Sequence, residues 1–266
     1  MDDVGPDPDC YPIFRDSKEG KQLCDNGHVR LLRMKETESL GPYMARYFAS
    51  KLWMGEQWFM QIDSHMTFLQ NWETLSIEMR KKAPSDKPVI SHYPPLPHTA
   101  DLVVKMKVPA PRLCGPDFAT TDLEGQIIRL DGSYNYDTVR LDVPRFAPLA
   151  AAGYLVASSS LLIDMPFDPF LPYVFMGEEI LFSARMWTSG YDIFRPSHSV
   201  LGHRYVRNHK PKFWESVHRA FTFVGSFMRG VLPFLVKLSC RNYISHFPPF
   251  ASYLLLAKRF ITHSSC

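Results

Sequence analysis

A carboxylate and an imidazole stand two positions apart at Asp63-Ser64-His65, directly after the apolar run Trp58-Phe59-Met60-Gln61-Ile62. In extended chain, residues i and i+2 project on the same face. That spacing would let Asp63 and His65 converge on one ion while Ser64 points away. A hard oxygen beside a borderline nitrogen suits Mn²⁺ or a similar divalent ion better than a thiolate-seeking one. A surface turn with a capping Asp would use the same tripeptide, so the weight falls on what the rest of the chain brings to it. Far downstream, Glu178 and Glu179 open a helical run. Carboxylates in a first turn are stabilised by the helix dipole, by about 0.3–1 kcal/mol each. Neighbouring helical positions lie about 100° apart, so at most one of the two faces a cleft to accept hydrogen bonds from substrate hydroxyls, and the other anchors the turn. Beyond them, Gly202-His203-Arg204-Tyr205-Val206-Arg207 joins an imidazole to a glycine that permits close backbone approach and to arginines that suit an anion. His203 is the candidate third ligand for an ion held by Asp63 and His65, with diphosphate oxygens and water completing the shell.

The elements that must position these groups read as an alternation. His28 to Arg33 alternates like a short strand. Gly41-Pro42 opens a helix carrying Met44, Tyr47, Phe48 and Leu52 on an apolar stripe and ending by Gly55. Trp58 to Ile62 is a buried strand, Trp72 to Met79 a surface helix, and Lys87 to Tyr93 a strand. Pro94 to Asp117 carries six prolines and reads as a meandering loop. Gln126 to Leu130 and Thr138 to Leu141 are short strands around a turn. Ala150 to Ala157 is small and apolar, with no room for bulk at its start. A helix follows from Met176, with Ile180, Ala184 and Trp187 on one face and Gly190 at its C-terminal cap. Tyr191 to Phe194 and Ser199 to Leu201 frame the His203 segment. Strand–helix–strand order of this kind predicts an α/β sheet.

The 266 residues, 45% hydrophobic and 21% charged, suffice for one substantial core, or for one core with an appendage. A net charge of +3 with scattered Lys and Arg, apart from Arg80-Lys81-Lys82 on a solvated helix end, gives no stripe for nucleic acid but favours a diphosphate. Cys10, Cys24, Cys114, Cys240 and Cys266 form no C-x-x-C pair, which argues against a zinc site and a disulfide framework. The start Met1-Asp2-Asp3-Val4 lacks the basic and apolar regions of a secretory signal. Cytoplasm is therefore the expected compartment, with the Golgi as the alternative if an anchor precedes this sequence. Ala220 to Cys240 is apolar and about long enough to span a bilayer. Arg229, Gly230, Pro233 and Lys237 interrupt it, so residues 215–266 read as a packed or interfacial helical appendage.

The order of the pieces resembles a known family. Gln61-x-Asp63-Ser64-His65-Met66-x-Phe68 is followed by Ala151-Ala152-Gly153 and Pro166-Phe167-Asp168-Pro169. Then come Phe175-x-Gly177-Glu178-Glu179-Ile180, Ala184-Arg185-x-Trp187-Thr188-x-Gly190-Tyr191-Asp192 and His203-x-Tyr205-x-Arg207. Together, from about Cys24 to Trp214, these resemble the GlcNAc-transferases that modify hydroxyproline on the ubiquitin-ligase subunit Skp1. They are more distantly similar to the polypeptide GalNAc-transferases. The resemblance implies a GT-A fold over residues 1–214, in which a Rossmann-like nucleotide-binding half merges with an acceptor half. It implies a UDP-GlcNAc donor, Mn²⁺ or another divalent cation, a protein hydroxyl as acceptor and retention of anomeric configuration. Asp63, His65 and His203 would then hold the metal, and Gly153 would let the sugar approach the backbone. Glu178 or Glu179 would bind donor-sugar hydroxyls or orient the acceptor. Arg46, Trp187 and Arg207 would complete the substrate-binding set, Arg207 one position out of the GalNAc-transferase register. The family's opening strand, of the type Ile-x-Val-x-Ile-Ala-Ser-Tyr-Arg-Asp, has no counterpart in residues 1–25, which predicts an incomplete nucleotide-binding edge. The alternatives are a homologue without activity that binds protein or glycan, and a metal-dependent hydrolase built on the same Asp/His/His set.

Overall fold

A computed structural model describes residues 10–34, 38–100, 110–111, 113, 116–118, 128–130, 142–175 and 177–205. Arg207, the 138–141 strand and the 215–266 appendage lie outside these residues. Three helices come first: α1 (Cys10–Asp16), α2 (Lys18–Asp25) and α3 (Pro42–Ser50). Then come β1 (Trp58–Ile62), β2 (Met66–Phe68), α4 (Trp72–Lys82) and β3 (Pro88–Ser91). The strands β4 (Pro116–Phe118), β5 (Ile128–Leu130), β6 (Arg145–Phe146) and β7 (Tyr154–Ser158) follow, and then α5 (Ser160–Asp164), α6 (Glu178–Thr188), β8 (Asp192–Arg195) and β9 (Leu201–His203). The α/β expectation is met. The residues after α2, read as a strand from His28 to Arg33, instead run irregularly. Among the described residues that segment finds no ladder partner, so its alternation has no sheet to join.

The central sheet runs β1-β7-β3-β8-β6. Only β3 and β8 pair in parallel among the described strands; β1 with β7, β3 with β7 and β6 with β8 are antiparallel. The period of two divides the core into two layers. Val89, Leu155, Ala157 and Ile193 face one side, where Phe182 and Met186 of α6 cover them. Ile90, Tyr154, Val156 and Phe194 face the other, under Met79 of α4 and beside Val200 and Leu201. With both faces covered, the strands read as continuous apolar runs rather than alternating ones.

The two longest described helices, α4 and α6, bury one face each against the sheet. On α4, Trp72, Leu75 and Met79 pack on the sheet. Arg80, expected on a solvated helix end, lies half-buried with its guanidinium 4.9 Å from the Trp58 ring centroid. On α6 the buried face runs Glu178, Phe182, Ser183, Met186. The stripe expected from Ile180, Ala184 and Trp187 is only partly buried, and Ile180 and Trp187 pack in a smaller cluster with Leu113, Leu149 and Ala151. A separate two-stranded ribbon joins β2 to β9 with Met66 opposite His203, which draws the late imidazole to the end of β1. No described helix is long and apolar enough to cross a membrane.

Candidate functional site

Asp63 sits one residue past β1, where the sheet gives way to a turn. Its backbone N–H donates to Gly153 O at 3.1 Å, which ties the end of β1 to the start of β7. Ser64 and His65 lie in that turn rather than in extended chain, and Ser64 Oγ is 2.9 Å from His65 Nδ1. The same-face argument for Asp63 and His65 therefore fails, because the strand stops at Ile62. What converges on Asp63 is His203, whose Nε2 lies 3.6 Å from Asp63 Oδ2. His65 stands beside His203 with ring centroids 6.4 Å apart. Adjacent donors about 2.1 Å from a small octahedral ion stand about 3.0 Å apart, so the Asp63–His203 pair would close by roughly 0.6 Å to hold one. The described residues do not draw a third His, Cys, Asp or Glu into one cluster with them.

Two backbone contacts place His203. Its N–H donates to Pro95 O at 2.8 Å, and the next residue's N–H, of Arg204, donates to His65 O at 3.1 Å. Gly202 makes room for this: a Cβ there would come within 2.7 Å of Pro97 Cα. Gly153 has the same role toward Asp63, since a Cβ would meet Oδ2 at 3.2 Å.

The two glutamates take different partners, but both line one cleft, against the expectation that at most one would face it. Glu178 pairs with Arg46 of α3, and the other nitrogen of that guanidinium reaches Asp63 Oδ1 at 3.5 Å. Burial pushes the Glu178 carboxyl up from its ordinary range, and Arg46 opposes the shift. Glu179 turns the other way: Oε1 accepts from Ala152 N at 2.7 Å and Oε2 from the Tyr93 hydroxyl. Burial raises Glu179 to about 7 against these two donors. The Tyr93 hydroxyl is pushed up in turn, first by burial and then by the charge of Glu179.

Glu179 belongs to a frame around Ala150-Ala151-Ala152. Ala150 N donates to Ser183 Oγ at 2.9 Å and Ala151 N to Ser91 Oγ at 2.8 Å. Ala152 O accepts from Gln61 Nε2 at 2.7 Å. Four side chains from β1, β3 and α6 thus fix the segment that delivers Gly153 to Asp63. A small cleft opens here, with Arg46, Gln61, Glu178 and Glu179 as its polar lining and Tyr43, Phe167 and Phe182 among its apolar walls.

Sequence reasoning did not single out Gln61, Ser91, Tyr93 or Ser183. Gln61 was within reach, since it precedes Asp63 by two in the motif and shares its face. Tyr93 and the serines carry no local signal, because their partners lie 33 to 86 residues away. Trp187, expected to bind substrate, is not among the residues lining the cleft; it packs with Leu149 and Ala151 nine residues along α6 from Glu178. In sum, the structure brings Asp63, His203, Arg46, Gly153, Glu178 and Glu179 together, with His65 at the edge.

Comparison with curated proteins finds none that matches the chain. Among solved structures, one of GalNAc-T7 with UDP, GalNAc and Mn²⁺ is similar, with 16% identity and a TM-score of 0.47 over 75% of this chain and 36% of that one. The chain thus spans about a third of that relative's length. A family model described as Glycosyltransferase (GlcNAc) matches residues 11–241, most of the sequence, and the chain belongs to that family.

Proposed function

We propose that the chain transfers GlcNAc from UDP-GlcNAc to a protein hydroxyl with retention of anomeric configuration, in a GT-A frame. The observation that carries this reading is the run of contacts His203–Asp63–Arg46–Glu178, drawn from four parts of the chain, of which Arg46 and Glu178 line the cleft. Asp63 and His203, with His65 beside them, are the residues that would hold a divalent ion. When bound, that ion supplies Lewis-acid stabilisation of the charge growing on the departing diphosphate.

The chain's own residues do the rest. Arg46 pairs with Glu178 and opposes the upward shift that burial gives its carboxyl, which serves as an acceptor for donor-sugar hydroxyls. Gly153 leaves the backbone approachable beside Asp63. Tyr43, Phe167 and Phe182, packed on one another, form the apolar wall of the cleft. In the transfer, the bond from C1 to the β-phosphate oxygen breaks and the acceptor oxygen bonds C1 on the same face. The acceptor's proton passes to the leaving phosphate. Arg207 neutralises the charge of the diphosphate. The acceptor is a hydroxyproline, Ser or Thr hydroxyl, on a Skp1-like protein in the cytoplasm.

Titration calorimetry of UDP with and without Mn²⁺, together with turnover of UDP-GlcNAc, tests this. Mn²⁺ is expected to tighten UDP binding, and Asp63→Ala to weaken it about tenfold or more while abolishing turnover. Near-normal turnover by Asp63→Ala excludes the metal role. A wild-type chain that does not bind UDP points instead to a homologue that holds protein or glycan without transferring sugar.

A further inference from the structure

Asp63 is shared between two groups on opposite sides of its carboxylate. Oδ2 faces His203 Nε2 at 3.6 Å, and Oδ1 faces Arg46 Nη2 at 3.5 Å. Through Nη1 the same guanidinium pairs with Glu178 Oε2. On α3, Tyr43 is buried, and Arg46 lies three positions on, beside it on the helix face. The Glu178 end of the pair is interior, with the Glu178 side chain 9% exposed and that of Arg46 17%. Asp63, 40% exposed, is open to a ligand arriving from solvent. Arg46 is thus anchored at Glu178 and only loosely attached to Asp63, since 3.5 Å lies at the weak end of hydrogen bonding.

A divalent ion at Asp63 and His203 would have to share that carboxylate with the guanidinium. Two cations beside one carboxylate oppose each other, and more strongly where water is partly excluded. A diphosphate reverses the balance, because its oxygens accept from a guanidinium and bind an ion together. We propose that Arg46 is a resident counter-cation, which holds Asp63 against a free divalent ion and yields it when a diphosphate arrives, so that ion and nucleotide bind as a unit. This rests on the nucleotide-sugar reading above and adds the residue that couples its two ligands. Arg46 acts here as a positioning residue toward Asp63. The release is a small motion: one nitrogen lets go of Asp63 while the other stays on Glu178. Such coupling is reciprocal, so whatever UDP adds to the affinity for the ion, the ion adds to the affinity for UDP.

The test is Mn²⁺ binding with and without UDP, followed by the electron spin resonance of the free ion and corrected for the Mn²⁺ that UDP holds in solution. It needs no turnover. The wild type is expected to bind Mn²⁺ about tenfold or more tighter when UDP is present. Arg46→Gln by itself leaves Glu178 buried without its counter-charge. The variant is therefore Arg46→Gln with Glu178→Gln, which keeps the net charge of the site and frees Asp63. It is expected to bind Mn²⁺ alone about tenfold tighter than the wild type, and to narrow the effect of UDP by a similar factor. The inference is overturned if the wild type binds Mn²⁺ equally well with and without UDP, a comparison that needs no variant. It is also overturned if the double variant, still binding UDP, holds Mn²⁺ alone no tighter than the wild type. A wild type that binds neither UDP nor Mn²⁺ in its presence removes the nucleotide-sugar reading and this inference together. Joint binding of UDP and Mn²⁺ that is indifferent to Arg46 removes the inference alone.

Discussion

Removing the Tyr93 hydroxyl should destabilise the fold in a way that depends on pH, and the dependence follows from Glu179. That carboxyl is raised from 4.5 to about 7, first by burial, with the Tyr93 and Ala152 donors pulling it back. A carboxyl raised on folding adds stability that is complete below its unfolded value and lost as pH rises through the folded one. At 1.36 kcal/mol per pKa unit, a rise of about 2.5 units costs about 3 kcal/mol by pH 8. Tyr93→Phe deletes a hydrogen bond to the ionised form, worth about 1.5–3 kcal/mol, and one to the neutral form worth about 0.5–1.5 kcal/mol. Urea unfolding of wild type and Tyr93→Phe at pH 5 and pH 8 reads both. The variant should lose about 1 kcal/mol at pH 5 and about 2–3 kcal/mol at pH 8. Other titrating groups cancel in the difference. A deficit equal at the two pH values, or larger at pH 5, would show that Tyr93 does not hold an ionised Glu179, and the account of the Ala150–Gly153 frame would fail with it.

Two further substitutions probe the frame from other directions. His92 is fully buried, with Nδ1 2.9 Å from Tyr93 O, and burial pushes it down to about 4. A His lowered on folding adds stability present above its unfolded value of 6.5 and lost as pH falls through 4, about 3 kcal/mol in full. His92→Gln should therefore flatten the acid limb of stability between pH 6.5 and 4, and an unchanged limb in urea melts refutes this. Gly202→Ala drives a methyl to within 2.7 Å of Pro97 Cα. It should cost about 1–3 kcal/mol in thermal unfolding and weaken Mn²⁺-dependent UDP binding, because the neighbouring His203 must shift. Full retention of both would mean that Pro97 yields freely.

Much of this architecture could be read before any coordinates. The run Trp58 to Ile62, the proline-opened α3, and the glutamates at the head of α6 all carry their signals within ten residues. The 100° step of a helix accounts for the different partners of Glu178 and Glu179, but not for both of them lining the cleft. The His28–Arg33 alternation misled because a period of two says nothing about whether a partner strand exists. The α6 stripe misled for a different cause. Its buried face includes Glu178 and Ser183, whose polarity hides the core side until Arg46, far off in sequence, supplies the counter-charge. The pairing of Asp63 with His203 spans 140 residues, and the glycine and arginines around His203, with the motif resemblance, pointed to it where periodicity did not.

The three-residue strand β9 has little register memory of its own, since so short a ladder could slide by one position at small cost. A slide of that kind would turn His203 to the opposite face and disarm the cleft. Gly202 against Pro97 works as an index notch: only the residue without a side chain can sit at that point of the proline-stiffened loop. The alignment of a histidine near the late end of the described chain is thus set by a proline more than a hundred residues earlier, and the loop from Pro94 to Pro97 becomes a jig for the Asp63–His203 pair.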